Sequence, residues 1–371
     1  MESCDVLVVG GGPAGSSCAR QLGLQGMDVV VMDKAAFPRD KVCAGWITPE
    51  VVATLQLDIA DYAAKHVFQP IKAFRTGLID GGELETRYAN TVSYGIRRRE
   101  FDDYLLQRAG ARLKLGIALD SMERRGSQWI VNETLTAPLV IGAGGHFCPV
   151  ARHLGARPGA AEPAVTAKEI EFEMTPQQIE ECKVSPDMPE LYFSRDLKGY
   201  GWCFQKGRYL NIGLGREGHA GLTGHLQQFL DFLRRRGRIP HDTPERFHGH
   251  AYLQYGRAAR RLLDDGVLLV GDAAGLAYPQ SGEGIRPAVE SGLMAAATIL
   301  EAGQDYRRQT LMAYPARLAE RFGKASGPQR TLPEFLRPLL ARKLMDNRWF
   351  TRRVVLDRWF LHAHQAQLQI G

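Results

Sequence analysis

The residues best suited to chemistry are glycines and acids in two separated groups. Gly10, Gly12 and Gly15 stand in G-x-G-x-x-G spacing within DVLVVGGGPAGSS, with Pro13 and Ala14 between them, and Asp33 follows 18 residues after Gly15. In such a pattern the first glycine permits a tight turn, the second lets backbone approach a pyrophosphate, and the third lets a helix pack closely on a strand. A carboxylate at the position of Asp33 suits the ribose hydroxyls of an adenosine and disfavours a 2′-phosphate. This group alone leaves NAD and FAD open. The second group, VLLVGDAAGLAYPQSGEGIRPAV, lies far downstream and offers Gly271, Asp272, Pro279, Gly282, Gly284 and Ile285. An NAD site has no need of it. An extended cofactor does, because FAD must be gripped at its adenosine end and again along its ribityl chain and flavin. Asp272 suits a ribityl hydroxyl, and a helix starting near Gly284 would aim its positive end at the flavin N1–C2=O edge. No Ser-His-Asp set, paired carboxylates or metal cluster is visible, so no metal site is expected and the hard chemistry falls to the cofactor.

These residues require elements to hold them. Residues 5–9 form a continuous apolar run, which predicts a strand of a parallel sheet covered on both faces. A helix over 14–25 would point its N-terminal amides at the phosphates, and a strand over 27–33 ends in Asp33. A strand at 267–270 leads into the second group. A further helix follows Arg98, a strand ends near Ile141, and residues 156–260 alternate short strands and turns around one helix at 222–237. The predicted fold class is α/β: a Rossmann-type FAD-binding domain with an inserted antiparallel-sheet substrate domain and a C-terminal helical tail. The FAD domain takes residues 1–60, 96–155 and 261–305, the substrate domain 61–95 and 156–260, and the tail 306–371. In the tail, Leu336, Leu340, Leu344, Trp349, Val355 and Trp359 fall among arginines in an amphipathic pattern, which suits a cover over the substrate domain or a surface that rests on a membrane.

With these motifs in place, the chain resembles the para-hydroxybenzoate hydroxylase-type FAD-dependent oxidoreductases from residue 5 to about residue 300. Gly10–Gly15, Asp33 and GDAAG…P…GEGI are the pattern shared by such hydroxylases, flavin halogenases and geranylgeranyl reductases. FPRDKVCAGWITPEVV (37–52) is similar to the geranylgeranyl reductase branch, and the His-x-Gly-Glu-Ser type sequence of halogenases is missing there. The resemblance implies FAD as cofactor, held also by Lys34, Arg39, Cys43 and Ala44, and by Arg98 at the start of IRRREFDDYLLQRA. YGWCFQKGRYLNIGLG resembles the substrate-domain signature Y-x-W-x-F-P followed by G-x-G, with Gln205 in place of the proline. It implies that Tyr200, Trp202 and Phe204 line a substrate pocket, and strand alternation puts all three on one side of a sheet. The implied activity is reduction of a carbon–carbon double bond in a bulky, apolar, prenyl-like substrate, with hydride going to one carbon and a proton to the other. Cys43, a tyrosine or water are candidate proton donors, and Cys43 is the one catalytic residue put forward. A flavin-dependent monooxygenase or halogenase acting on an aromatic, including a protein-bound one, is the alternative, and a non-catalytic FAD-binding protein is a third class.

One segment departs from the pattern. In LVIGAGGHFCPVARHLG (139–155), Gly144 stands where the family has an aspartate that organises FAD and NADPH, and Pro149 is near the usual serine. The departure implies that electrons arrive from a donor protein rather than directly from NAD(P)H. His146 and Cys148 there suit either packing in a turn or contact with the cofactor.

Composition narrows the partners. The chain has 371 residues, 44% hydrophobic and 24% charged, as expected of a globular protein. Its six cysteines, Cys4, Cys18, Cys43, Cys148, Cys182 and Cys203, are scattered singly, which argues against zinc or a redox dithiol and for free thiols in a reducing compartment. Neither a signal peptide nor a run long enough to span a membrane is visible, so a cytoplasmic location is expected. The net charge is +6, yet residues 306–371 hold 13 Lys/Arg and 4 Asp/Glu, or +9, leaving −3 elsewhere. Such a basic tail suits peripheral contact with an anionic membrane. No nucleic-acid-binding pattern is present, so the expected partner is a small or lipid-like substrate.

Overall fold

The computed structural model describes residues 1–159, 162–218, 221–257, 260–323 and 343–369; Leu336 and Leu340 of the tail pattern lie outside these. Its centre is a six-stranded sheet in the order Leu263–Asp264, Val267–Leu269, Leu139–Gly142, Val6–Val9, Val29–Asp33, Arg112–Leu115. All neighbours run parallel except the 263–264/267–269 hairpin. Val6, Leu7 and Val8 are wholly buried: the sheet shares its core with helices and with Trp129, Val131 and Leu135 of a four-stranded sheet in the order Glu2–Ser3, Leu135–Ala137, Gln128–Val131, Met122–Arg125. Pro13–Leu24 forms the first helix, with proline at its start where no amide donor is missed. It crosses the helix Ile285–Glu301 so closely that a Cβ on Gly292 would sit 2.2 Å from the Ala14 carbonyl oxygen, which accounts for the small residues in that helix. The helix expected after Arg98 spans Arg98–Gln107.

The second unit is a seven-stranded sheet in the order His248–Tyr252, Val165–Glu173, Tyr209–Glu217, Gly199–Lys206, Glu190–Phe193, Ala73–Leu78, Glu83–Arg87. It departs from the expected antiparallel sheet in one pair: Glu190–Phe193 runs parallel to Ala73–Leu78. Parallel neighbours need a long crossover, and the chain makes it by passing through the first unit between residues 78 and 190. Alternation sorts the strand Gly199–Lys206. Cys203 packs towards the helix Leu222–Arg235, and a Cβ on Gly201 would meet the Phe229 ring at 2.6 Å; Tyr200, Trp202 and Phe204 face the other way.

Between the units, Trp46–Ile47 and Phe68–Ile71 flank Ser93–Ile96 in a small antiparallel sheet. The tail closes the aromatic face of the large sheet. Residues Thr351–Phe360 wind as a π-helix, and Val355, Leu356 and Phe360 are fully buried against that face. Beyond Phe360 the chain leaves helix and runs on irregularly to residue 369. No described helix is long and apolar enough to cross a membrane.

Candidate active site

A cavity of about 700 Å³ opens where the two glycine groups converge, between the parallel sheet and the aromatic face of the large sheet. At one end, Gly10 takes φ +119°, which favours glycine, and a Cβ there would sit 2.4 Å from the Ala143 carbonyl oxygen. A Cβ on Gly15 would sit 2.0 Å from the Gly10 carbonyl oxygen, so Gly15 serves packing beneath the cavity surface. Gly12 is different: a Cβ would meet only the Arg39 guanidinium, at 3.4 Å, so bare backbone faces the cavity at the start of the first helix. Asp33 ties the turn together. Its Oδ2 accepts from the Gly11 amide at 2.8 Å and its Oδ1 from the Ala35 amide at 2.9 Å, while Lys34 beside it lines the cavity.

Two charged clusters follow. Arg98 is buried and donates two bonds of 2.8 Å to Asp102, which also pairs with Arg39 at 3.2 Å. Arg98 is therefore no surface charge. The Nη1 of Arg39 is buried with no partner among the described residues, in the cavity wall. Further along, Lys41 Nζ lies 2.6 Å from His250 Nε2, which is 3.8 Å from Asp272 Oδ2. Burial pushes the Lys41 amine down to about 8, with Arg98 and Arg39 adding to the push against Asp272. Burial would raise Asp272, but His250 and Lys41 outweigh it and hold the carboxylate below its usual range.

The far end is apolar. Tyr200, Trp202, Trp46 and Tyr252 line it, and Tyr200 donates to the Ser281 carbonyl at 2.5 Å. Phe204 does not reach the cavity surface; it stacks behind Trp46 with ring centroids 5.0 Å apart. Cys43 and Ala44 do reach it. A buried polar network holds their loop from behind. Glu169 accepts the Cys43 amide, Asn211 Nδ2 donates to the Cys43 carbonyl at 3.2 Å, and Lys206 donates to the Ala44 carbonyl at 2.9 Å and to Glu171 at 2.7 Å. Burial, with Glu171 beside it, pushes Glu169 up to about 8.

Of the second glycine group, Asp272, Gly282, Gly284 and Ile285 line the cavity, as Pro13 and Ala14 do at the first. Gly271 and Pro279 lie off its surface. Gly271, at φ +60°, makes the turn that seats Ala14 and Ala288 against it, and the Pro279 carbonyl accepts from Gln254. His146 lines the cavity beside the buried Arg260–Glu162 pair, whereas Cys148 is buried below it. All six cysteines are free thiols, and among the described residues no group of three or more His, Cys, Asp or Glu could hold a metal ion. Lys41, Trp46, His250, Tyr252 and Glu283 also line the cavity without having been singled out in the sequence. The one signal for two of them is the spacing His248-x-His250-x-Tyr252 on a strand, which puts His250 and Tyr252 on one face.

The fold and cavity define a flavoprotein class, and comparison with known proteins agrees. Residues 5–99 match the family model described as FAD dependent oxidoreductase. The chain is 31% identical to a menaquinone reductase of Mycobacterium tuberculosis, covering 90% of this chain and 86% of that one. It is 28% identical to a digeranylgeranylglycerophospholipid reductase of Methanocaldococcus jannaschii, over 85% and 82% of the two chains. Among solved structures, a geranylgeranyl bacteriochlorophyll reductase-like protein from Thermoplasma acidophilum superposes with a TM-score of 0.78 at 22% identity, over 93% and 91% of the two chains. The chain belongs to the geranylgeranyl reductase-like FAD-dependent oxidoreductases. The cavity fits that cofactor: a bare glycine cradle, an orphaned arginine nitrogen and an adjacent carboxylate stand at one end, and aromatic rings at the other.

Proposed function

We propose that this enzyme saturates carbon–carbon double bonds in the isoprenoid chain of a lipid-like molecule, such as a prenylated quinone or a polar lipid. The observation that carries the reading is the aromatic wall of Trp46, Tyr200 and Trp202 at the flavin end of the cavity, continuous with a wholly apolar cluster behind it. Such a wall suits a hydrocarbon chain and offers few polar groups to orient a small polar aromatic. The reductase names of the relatives point the same way. When bound, FAD supplies the two-electron chemistry. The Gly12 backbone, the first helix's N-terminal amides and Arg39 would hold its pyrophosphate, and Arg98 locks Arg39 in place through Asp102. Asp33 would hold the adenosine ribose, Asp272 the ribityl chain with Lys41 and His250, and the backbone of Gly282, Gly284 and Ile285 the flavin edge. Trp46, Tyr200 and Trp202 would position the chain and exclude water.

A halogenase reading would claim one of two cavity lysines, Lys34 beside Asp33 or Lys41, and Lys41 is turned onto His250 at the cofactor end. Two finer parts belong to the same proposal. Electrons come from a donor protein: glycine stands at 144 in place of the family's aspartate, and a Cβ there would be tight against Cys148 at 3.3 Å. The tail touches an anionic lipid surface, since Trp349 is 68% exposed beside Arg348, Arg352 and Arg353. The deciding experiment is anaerobic: photoreduced holoenzyme is mixed with a geranylgeranyl lipid or a menaquinone, and products are weighed by mass spectrometry. Gain of hydrogen pairs supports the reading. Unchanged isoprenoids, with oxygen or halogen entering an aromatic in air, would overturn it.

A further inference from the structure

One acid of the cavity has no task so far. Glu283 sits in the turn between Ser281 and the helix Ile285–Glu301 and lines the cavity next to the Tyr200–Ser281 bond. Its Oε1 accepts from the Arg286 amide at 2.7 Å. Its Oε2 is out of solvent and meets no hydrogen-bond partner among the described residues. A bare, buried carboxylate oxygen is costly; a protonated carboxyl is neutral there and has a proton to give.

The groups that face Glu283 leave it unpaired. From the helix come Arg286 and Glu290, from its own loop Tyr278, and from the strand Gly199–Lys206 Tyr200. Arg286 is the one cation among these; its guanidinium makes its hydrogen bonds elsewhere, and its Nη1 has no hydrogen-bond partner among the described residues. It donates to Glu290 at 2.9 Å and to the carbonyls of Gln365 and Ala366, each at 2.9 Å. Glu290 is in turn held by Arg321 at 2.6 Å. Burial therefore pushes Glu283 up to about 7, against the pull of the Arg286 amide and charge. The rival donors are worse placed. The Tyr200 hydroxyl is already committed to Ser281, and burial raises both it and Tyr252.

We propose that Glu283 is the catalytic acid that delivers the proton to the substrate double bond. The inference rests on the reductase reading above. In the step, the Glu283 O–H bond breaks and a C–H bond forms at one carbon. The other carbon takes the hydride that reduced FAD supplies, so the double bond gains two hydrogens and FAD is left oxidised. The Glu283 carboxylate then regains a proton from water. An acid that titrates near the working pH is suited to this task.

The test compares wild type with Glu283→Gln and Glu283→Asp, all as FAD-loaded protein. The Gln variant keeps an oxygen for the Arg286 amide and loses the proton, so a purely structural role predicts wild-type behaviour. The expected results are unchanged FAD affinity by fluorescence quenching and a fall of about 10²-fold in isoprenoid reduction at neutral pH. The wild-type rate should fall roughly tenfold per pH unit above about 7, a limb that Glu283→Asp retains and Glu283→Gln lacks. Infrared titration should show, beside a Glu169 band that titrates near 8 in every variant, a further protonated-carboxyl band lost with a midpoint near 7 and missing in Glu283→Gln, with or without substrate. If Glu283→Gln reduces substrate at the wild-type rate with the same pH profile, or if the further band persists in it, the inference is overturned. If wild type reduces no isoprenoid, the proposed function fails; the further band then decides whether Glu283 holds a proton at all, and its absence overturns the inference too.

Discussion

Replacing Lys206 by methionine should loosen the joint between the large sheet and the FAD-facing loop. The Lys206 side chain is only 1% exposed, and its amine donates to Ala44 and Ile96 carbonyls, each at 2.9 Å, and to Glu171 at 2.7 Å. Methionine matches the stem but carries no donor. Breaking a buried ion pair from one side costs about 3–5 kcal/mol, and each carbonyl left bare adds about 1–3 kcal/mol. Arg97 and Asn211 still donate to Glu171, each at 3.2 Å, which softens the first loss. The net expectation is about 4 kcal/mol, the middle of the one-sided range. At roughly 2 °C per kcal/mol for a chain of this size, Tm should fall by about 8 °C. Because Ala44 lines the cavity, FAD should be released early in the melt. The assay is thermal unfolding of holoenzyme, followed by circular dichroism and by flavin fluorescence. A double variant with Glu171→Gln should recover part of the loss, since no uncompensated carboxylate remains. A shift under about 2 °C, or no recovery in the double variant, would refute the reasoning.

Gly15→Ala should weaken FAD binding at least tenfold in fluorescence titration, because its Cβ would sit 2.0 Å from the Gly10 carbonyl oxygen and displace the cradle. Gly213→Ala drives a methyl to 2.3 Å from the Trp202 ring; steady-state kinetics should show KM raised about tenfold with FAD affinity unchanged. Lys41 is charged below about 8 and neutral above, so FAD affinity should fall as pH rises through that value, and titration of Lys41→Met should show a flat profile. Wild type should sediment with liposomes rich in anionic lipid and not with neutral ones, and Trp349→Ala should weaken the association several-fold.

The elements built on local pattern were legible. The apolar run at 5–9, the glycines at 10–15 and the small-residue stretch after Gly284 each carry their own steric reason, and all became strand, turn and helix within a residue or two. Asp33 and Asp272 were placed by the same frame and Arg98 by the family resemblance, and all three line the cavity. Phe204 was harder: strand alternation fixes its face, but only the position of Trp46, far away in sequence, decides that it is covered. Lys41 and Glu283 had no local signature, and His250 only the strand spacing it shares with Tyr252. Each is an ordinary polar residue until the fold brings the 37–45 loop, the strand His248–Tyr252 and the helix start at Ile285 around one space. The tail shows another limit. A helical period was visible, yet the chain widens to π-turns over 351–360 where Phe360 sits among Tyr200, Trp46 and Phe193, and no periodicity encodes those distant neighbours.

The strand order of the parallel sheet has a consequence for the chain as it leaves the ribosome. Val6–Val9, the first helix and Val29–Asp33 come early, whereas Leu139–Gly142 must emerge before Val267–Leu269 has anything to dock on. On the cofactor roles proposed above, the residues for the adenosine end are therefore synthesised well ahead of those for the flavin end. Only once the late strand lies beside 139–142 do both glycine groups face one cavity, so a ligand long enough to reach both gains the advantage of double attachment.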